Sequence, residues 1–178
     1  MSISVELRMF VRERARFACE YCRVTETDSG GELTIDHYQP SRRGGLSDDP
    51  DNLLYCCHRC NQYKSDYWPN TATDIPLWNP QLEQRELHMV ILANGTLYPL
   101  TPTGTFTIRR LRLNRPALIA NRLRQQRTTE ESRLLEELCQ LIYLQERLQN
   151  QHARLIQEQR ELLEQQRELL TILVKLMN

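Results

Sequence analysis

Cys19-Glu-Tyr-Cys22 and Cys57-His-Arg-Cys60 are the two segments that decide the fold of this chain, and residues 23–56 separate them. Zn²⁺ takes four thiolate ligands at the corners of a tetrahedron, and each C-x-x-C pair supplies two of them from a single tight turn. In a small domain the bound metal also contributes free energy of folding. The spacing therefore predicts a structural Zn²⁺ held by Cys19, Cys22, Cys57 and Cys60.

Other interpretations of the six cysteines remain open at this point. The two pairs can be buried as small apolar side chains, or one pair can be a thioredoxin-like redox pair. Cys56 can also replace Cys57, which would give a C-x-x-x-C spacing with Cys60. Cys139 has no partner motif and lies in a helical pattern, so we predict that it is a small core residue.

The stretch between the cysteine pairs carries residues suited to metal-assisted hydrolysis of a phosphodiester. Asp36-His37 ends a strand-like stretch, Asn52 shortly precedes the second pair, and Asn61 directly follows it. A neutral imidazole accepts a proton from water near pH 7, and carboxylate and amide oxygens bind hard divalent cations. Taken singly, these residues have structural alternatives as strand, turn-cap and helix-cap residues. Their joint placement favours the catalytic interpretation.

A series of motifs follows in order along residues 15–67. They are Cys19-Glu-Tyr-Cys22, Thr34-Ile-Asp-His37, Pro40-Ser41, Gly44-Gly45, Asp51-Asn52-Leu53, Cys57-x-x-Cys60-Asn61 and Lys64. Together they resemble the zinc-clasped HNH endonucleases of the McrA-like type. The resemblance implies an α+β fold whose centre is a small ββα-metal nuclease core, stabilised here by a four-cysteine zinc site.

The resemblance also implies a role for each residue of the set. His37 resembles the family's general base, and Asp36 and Asn61 resemble its catalytic-metal ligands. Asn52 resembles the middle asparagine, which holds the catalytic loop and orients the base. Many members have histidine where this chain has Asn61, which makes the motif H-N-N. An oxygen-only ligand at that position favours Mg²⁺ or Mn²⁺ as the catalytic ion, and the implied substrate is DNA.

Three basic side chains near these motifs are predicted to contact phosphate. Lys64 lies one turn into the helix after Asn61, and Arg42 and Arg43 lie in the Gly-Gly loop. Basic side chains that contact phosphate position a protein on DNA without reading its sequence. Ordinary surface charge is the alternative for all three.

Residues 68–127 form a predicted accessory segment. Both tryptophans of the chain lie in a proline-containing stretch there, and we expect it to wrap against the core in order to bury them. Asn94-Gly95 predicts a β-hairpin turn, and Thr101-Pro102 predicts the start of a helix. Seven arginines and no acid lie in 109–127, which fits either a nucleic-acid face or a set of intramolecular pairs. Part of the segment resembles a tail of some bacterial HNH members.

From Thr128 to Asn178 the sequence has no proline or glycine, and leucine recurs at every seventh position. The leucines of this seam are Leu134, Leu141, Leu148, Leu155, Leu162, Leu169 and Leu176. A sustained seven-residue repeat predicts a coiled coil. A helix over 129–177 would be roughly 70 Å long, and the chain offers no segment of matching length for it to pack against. It therefore predicts a homo-oligomer, or a helical protein partner.

The overall composition is that of an ordinary globular protein. The 178 residues are 40% hydrophobic and 26% charged, with a formal net charge of zero. No apolar run reaches the roughly 20 residues that a membrane helix needs, and the N-terminal stretch lacks the apolar core of a signal peptide. These features predict a cytoplasmic protein that does not enter a membrane.

Three domains and three classes of function follow from these patterns. We expect an HNH ββα-metal core over 1–67, an accessory segment with a hairpin and arginine-rich helices over 68–127, and a coiled-coil helix over 128–178. The first function is a metal-dependent endonuclease that hydrolyses DNA phosphodiesters through a His-activated water. The alternatives are a zinc-stabilised nucleic-acid-binding module and a nuclease subunit of a larger complex, docked through its coiled coil. The complete catalytic set favours the enzyme, because a module that only binds does not need it.

Overall fold

The computed structural model describes residues 3–177, so residues 1, 2 and 178 of the predicted end domains lie outside it. The chain divides into two compact units, Met1–Gln126 and Arg127–Asn178, which we call the first unit and the second unit. The first unit contains both the predicted nuclease core and the predicted accessory segment.

Short helices and two small antiparallel sheets build the first unit. The helices of the chain are α1 (Val5–Arg14), α2 (Glu26–Ser29), α3 (His58–Lys64), α4 (Pro102–Arg110) and α5 (Pro116–Met177). The strands are β1 (Thr34–His37), β2 (Leu53–Cys56), β3 (Met89–Ile91) and β4 (Leu97–Pro99). Single 3-10 turns lie at Ser41–Arg43, Pro50–Asn52 and Arg85–Leu87. This mixture confirms the predicted α+β class.

β1 and β2 pair antiparallel, with Thr34 opposite Cys56 and His37 opposite Leu53. β2 is buried along its whole length, in keeping with its sequence Leu-Leu-Tyr-Cys. β1 is less buried and carries three polar side chains, those of Thr34, Asp36 and His37. The pairing therefore uses a buried strand to fix the register of a more polar one, so that the polar side chains of β1 are held in defined positions.

α3 begins at His58, inside the second C-x-x-C pair. The Cys57 side chain is the N-cap of this helix, and its Sγ accepts the backbone N–H of Cys60 at 3.5 Å. The sequence predicts this helix to start at Asn61. The earlier start arises because a cysteine takes the capping position that Ser, Thr, Asp or Asn usually holds.

One apolar core joins the predicted nuclease core to the accessory segment. Leu53 and Leu54 of β2 belong to the same buried cluster as Trp78, Met89 and Leu111. Burying side chains of this size contributes roughly 1.5–3 kcal/mol each relative to exposure. Residues 68–126 therefore complete the core of the HNH-like region.

The accessory segment forms the elements that its turn residues predict. β3 and β4 make an antiparallel hairpin, and Gly95 in its turn has a φ of 77°. A Cβ at Gly95 would lie 2.9 Å from the carbonyl oxygen of Ile119, so the turn also needs glycine for its close approach to α5. Thr101 caps α4 by accepting the N–H of Gly104 at 3.1 Å. The predicted hairpin and helix start are confirmed.

Several arginines of the arginine-rich segment are used inside the first unit. Arg110 donates to the Lys64 carbonyl oxygen at 3.1 Å, Arg124 pairs with Asp28 at 3.3 Å, and Arg122 is buried. These contacts agree with the intramolecular interpretation of the three arginines. They also fix the start of α5 against the rest of the unit.

α5 extends over the division between the units. From Arg127 to Leu176 every side chain is exposed, and the seam leucines are 53% to 78% exposed. Cys139 is exposed as well. The prediction that it is a core residue is wrong, because within the described chain nothing covers this part of the helix. Across residues 3–177, no helix combines the length and the apolar character required to cross a bilayer.

Candidate functional site

The four cysteines of the two C-x-x-C pairs form one buried cluster. Their Sγ atoms all lie within 4.8 Å of one another, and the Sγ atoms of Cys22 and Cys57 are 3.7 Å apart. Tetrahedral Zn–S bonds of about 2.3 Å place sulfurs about 3.8 Å apart, which the Cys22–Cys57 pair matches, so the cluster is a potential Zn²⁺ site. Cys56 is buried on β2 but does not belong to the cluster.

Backbone hydrogen bonds hold the first cysteine pair in its tight turn. The N–H of Cys19 donates to the Val24 carbonyl oxygen at 2.9 Å, and the N–H of Arg23 donates to the Cys19 carbonyl oxygen at 2.8 Å. The turn is tied to β2 by two bonds between Glu20 and Tyr55, one of them from the Glu20 N–H to the Tyr55 carbonyl oxygen at 2.9 Å. The pair is therefore preorganised by the sheet.

The thiols of the cluster affect one another's protonation. Burial opposes ionisation of Cys19, but hydrogen bonds from neighbouring thiols, first that of Cys22, bring its pKa well below the ordinary value. For Cys57, contact with Cys19 raises the pKa, while hydrogen bonds from Cys22 and Cys60 lower it, to about 7. Hydrogen bonds within the cluster, first those with Cys19, raise the pKa values of Cys22 and Cys60. The four thiols therefore share protons, which a bound metal would displace because thiolate is the form that binds it.

Helix α3 lies across β1 and connects the cysteine cluster to the polar strand. Successive strand residues point to opposite faces, so Thr34 and Asp36 share one face of β1. On that face the Asn61 amide donates to Thr34 Oγ1 at 3.3 Å, and Lys64 Nζ lies 3.2 Å from Asp36 Oδ2. Asp36 and Asn61 therefore project into the same strand–helix interface.

The Asp36 carboxylate is largely buried, with its side chain 13% exposed. Its Oδ2 forms the ion pair with Lys64 but accepts no hydrogen bond from the described residues. Burial raises the pKa of Asp36, and the neighbouring Lys64 ammonium acts against that rise. A buried carboxylate oxygen with unused lone pairs is suited to a divalent cation, and Asn61 on the adjacent helix offers an amide oxygen.

His37 is the last residue of β1, and its ring is oriented by the following loop. Nε2 lies 3.1 Å from the carbonyl oxygen of Ser47. A carbonyl oxygen can only accept a hydrogen bond, so in the neutral ring Nε2 carries the proton and Nδ1 is the basic nitrogen. The carbonyl oxygen of His37 accepts from Lys64 Nζ at 2.6 Å, which fixes the backbone at the same residue.

Asn52 closes the loop that follows His37. Its Oδ1 accepts the N–H of Gln39 at 2.7 Å, and its Nδ2 donates at 3.0 Å to the carbonyl oxygens of Gln39 and Leu46. Gly45 lies inside this clamp, where a Cβ would be 2.0 Å from the Gln39 carbonyl oxygen. The clamp therefore requires both the carboxamide of Asn52 and the absence of a side chain at Gly45.

The family model of the HNH endonucleases matches residues 19–67. These residues are therefore similar to the HNH endonucleases, and we call them the HNH domain. No curated protein and no solved structure matches the chain. The HNH domain covers the cysteine cluster, both strands of the first sheet and α3, so the family model and the four-cysteine cluster confirm the predicted resemblance.

The three basic residues predicted to contact phosphate differ in their burial and in their contacts. Lys64, predicted to contact phosphate, is fully buried, and its ammonium is engaged with Asp36 and the His37 backbone, so the phosphate contact is not supported. Arg43 donates to Asn70 Oδ1 at 3.0 Å, and Arg42 is exposed.

Sequence reasoning missed the structural role of Lys64 and the contact between Asn61 and Thr34. A signal for both was present, because Lys64 lies three residues after Asn61 and Asp36 lies two residues after Thr34. These spacings put each pair on one face of its element.

Proposed function

We propose that this protein is a metal-dependent endonuclease that hydrolyses phosphodiester bonds in DNA. One observation carries the proposal: a buried carboxylate oxygen of Asp36 without a hydrogen bond and the amide of Asn61 share one strand–helix interface, beside His37. The HNH family model over the same residues supports it. This combination of groups is what hydrolysis of a phosphodiester by an activated water requires.

His37 is the general base in this proposal. The Ser47 carbonyl oxygen keeps the Nε2 proton in place, so Nδ1 takes the proton from the attacking water. A bonded carbonyl favours the neutral tautomer in which Nδ1 accepts, and it also restricts rotation of the ring. Asn52 acts as a positioning residue, because its clamp on the loop from Gln39 to Leu46 sets where Ser47 lies.

Asp36 and Asn61 are the residues that would hold a catalytic Mg²⁺ or Mn²⁺. Such an ion polarises the phosphate and stabilises the leaving oxygen. Both side chains offer oxygen, the donor atom that these ions prefer. Arg42, which is exposed, and Arg43 are the remaining candidates for phosphate contacts next to the site.

The cysteine cluster is proposed to hold a structural Zn²⁺. Its four sulfurs have the separation that tetrahedral zinc needs, and they tie the turn before β1 to the start of α3. A metal at this point holds the two sides of the site together. It therefore stabilises the catalytic geometry without taking part in the reaction.

We also propose that the second unit joins copies of the chain. The exposed leucine stripe is supported as an association surface by its length and regularity. A symmetric dimer is the simplest closed arrangement, and it would carry two nuclease domains, enough to cut both strands of a duplex. A second candidate function, a nuclease subunit docked on a helical partner, is favoured by the same stripe if the chain does not self-associate.

Cleavage of supercoiled plasmid DNA in Mg²⁺ or Mn²⁺ tests the proposed function. His37→Gln should lower the cleavage rate by about 10²–10⁴, the usual contribution of a general base, while zinc content stays unchanged. His152→Gln is the matched control, because the same position of the neighbouring heptads is Gln145 and Gln159. Cleavage by His37→Gln at the rate of the control would rule out this assignment.

A further inference from the structure

A cavity of about 380 Å³ lies beside the first cysteine pair, at the side of the first unit where the β3–β4 hairpin and α5 approach it. Four arginines line it, and its lining includes no aspartate or glutamate. They are Arg16, Arg23, Arg85 and Arg122. We call this cavity the arginine cleft. Its volume lies in the range of ligand sites, roughly 300–1,000 Å³.

Arg122 contributes a buried charge to the arginine cleft. It is 4% exposed and donates to the carbonyl oxygens of Gly95 at 2.6 Å and Leu113 at 3.0 Å. These partners are neutral, so Arg122 has its hydrogen bonds satisfied, but neither partner carries a negative charge. Burial lowers the pKa of Arg122, the neighbouring thiol of Cys22 acts against that change, and the cations Arg85 and Arg115 act with it. A buried cation without a carboxylate partner is costly, and an anion in the cleft would offset that cost.

Arg85 has an unused donor at the cleft. One terminal nitrogen of its guanidinium pairs with Glu86 at 2.7 Å. Its Nε, however, is buried and has no hydrogen-bond partner in the described chain. A buried donor without an acceptor calls for an explanation such as a ligand, and here the acceptor would be an anion.

Arg16 and Arg23 complete the cleft from either side of the first cysteine pair. Both have left-handed backbone conformations, with φ of 54° and 63°. Such conformations are costly for residues other than glycine and cluster at functional sites. Neither side chain forms an ion pair with any residue of 3–177. Both residues are exposed, and their side chains are available for a ligand.

We propose that the arginine cleft binds backbone phosphate groups of the DNA substrate. The inference rests on the proposed nuclease function and adds a second contact region, separate from Asp36, His37 and Asn61. Guanidinium groups match phosphate oxygens in a bidentate manner, and contacts of this kind position a protein on DNA whatever its sequence. The cleft is formed jointly by the HNH domain and the accessory segment, which gives residues 68–126 a role in holding the substrate.

The test measures binding of a short fluorescein-labelled DNA duplex by anisotropy over a series of salt concentrations. The full-length chain carries His37→Gln to prevent cleavage. The test variant adds Arg16→Gln with Arg23→Gln. The matched control adds Arg8→Gln with Arg154→Gln, which removes the same charge from two exposed arginines outside the cleft. Zinc content and circular dichroism show that each variant folds.

Loss of two phosphate contacts should make the slope of log K against log salt less steep by about 1.8 in the test variant, since each contact contributes about 0.9. The control should keep the parent slope, and Arg16→Lys with Arg23→Lys should retain most of it. If the test variant and the control have the same slope while the parent binds DNA, the cleft proposal is overturned and the nuclease proposal stands. If the parent does not bind DNA and the unmutated chain does not cleave it, both proposals fail.

Discussion

In the first unit Leu53, Leu54 and Leu111 are fully buried, whereas in the second unit the seam leucines remain 53% to 78% exposed. The difference lies in what the chain offers as a covering surface. β2 meets the helices and the accessory segment of its own unit, while nothing in the described chain covers α5 beyond residue 126. An apolar pattern therefore specifies that a face will be buried, but it does not specify which surface buries it.

The two units also differ in where their stability comes from. The first unit combines a small core with a four-cysteine cluster and buried polar pairs. In the second unit the described side-chain contacts join residues four apart on one helix, and contacts of that kind contribute only about 0.2–0.5 kcal/mol each. The stability of the first unit should thus depend on its metal and its buried charges. The stability of the second unit should depend on association, and so on protein concentration.

Replacing a cluster cysteine should have the largest effect. Cys57→Ser should remove the bound zinc and leave the first unit unfolded at 37 °C, because metal binding supplies about 10–16 kcal/mol in small zinc domains. Zinc analysis and thermal unfolding measure the change. Cys139→Ser, at the exposed cysteine of the second unit, is the control and should behave like the parent. Stably folded parent protein with no zinc would show that the cluster is not a metal site.

Removing the second unit should change assembly and leave the first unit folded. Each seam leucine that becomes buried contributes roughly 1.5–3 kcal/mol, so we expect full-length protein to scatter light as an oligomer heavier than 21.1 kDa. A chain ending at Arg127 should be monomeric and should shift from double-strand cutting toward nicking. Full-length protein that stays monomeric at micromolar concentration would instead favour a helical partner.

The buried pair of Lys64 and Asp36 offers a smaller change within the first unit. Lys64→Met should destabilise it by about 3–5 kcal/mol, because the substitution leaves a buried carboxylate without its cation. Urea unfolding measures the loss. Lys175→Met is the control, since the chain's only other lysine is exposed in the second unit. Equal unfolding midpoints for the two variants would mean that the ion pair does not contribute to stability.

The smallest expected effect is a pH dependence set by Glu26. Arg12 donates to both of its carboxylate oxygens, at 2.6 and 2.8 Å, and this contact lowers the pKa of Glu26 below its ordinary value of 4.5. A carboxylate whose pKa is lower in the folded state contributes its full stabilisation at pH values above the unfolded-state pKa. It loses this contribution as the pH falls through its lower, folded-state pKa. Stability should therefore drop below about pH 4.5, and Glu26→Gln should lose less over that range than the parent does. An identical pH profile for the two proteins would contradict this role.

Much of the HNH domain could be predicted from the sequence, because its signals are local. Each C-x-x-C pair supplies two ligands from one turn. The same holds in the accessory segment, where Asn94-Gly95 and Thr101-Pro102 determine their own turn and helix start. What could not be predicted depends on how elements cross. Lys64 becomes buried only because α3 lies over β1 at Asp36.

The arginine-rich segment shows the same limit. The sequence shows that the segment has seven arginines. It does not show which of them contact carbonyl groups or aromatic rings and which remain in solvent. Arg122 is buried because Gly95 lets the hairpin turn approach α5. Arg127, in the same segment, is exposed. A run of arginines therefore predicts a basic surface, and the fold determines how many of these arginines form contacts within the chain.

The most direct test of the central claim is the metal dependence of plasmid cleavage by the full-length protein with its zinc retained. After labile divalent ions are removed, cleavage should stop, and it should return when Mg²⁺ or Mn²⁺ is added. Asp36→Ala and Asn61→Ala should each need at least about tenfold more metal for half-maximal cleavage, because each loses one oxygen ligand. Undiminished cleavage without labile metal, or unchanged metal requirements in both variants, would contradict the assignment of Asp36 and Asn61 to a catalytic metal site.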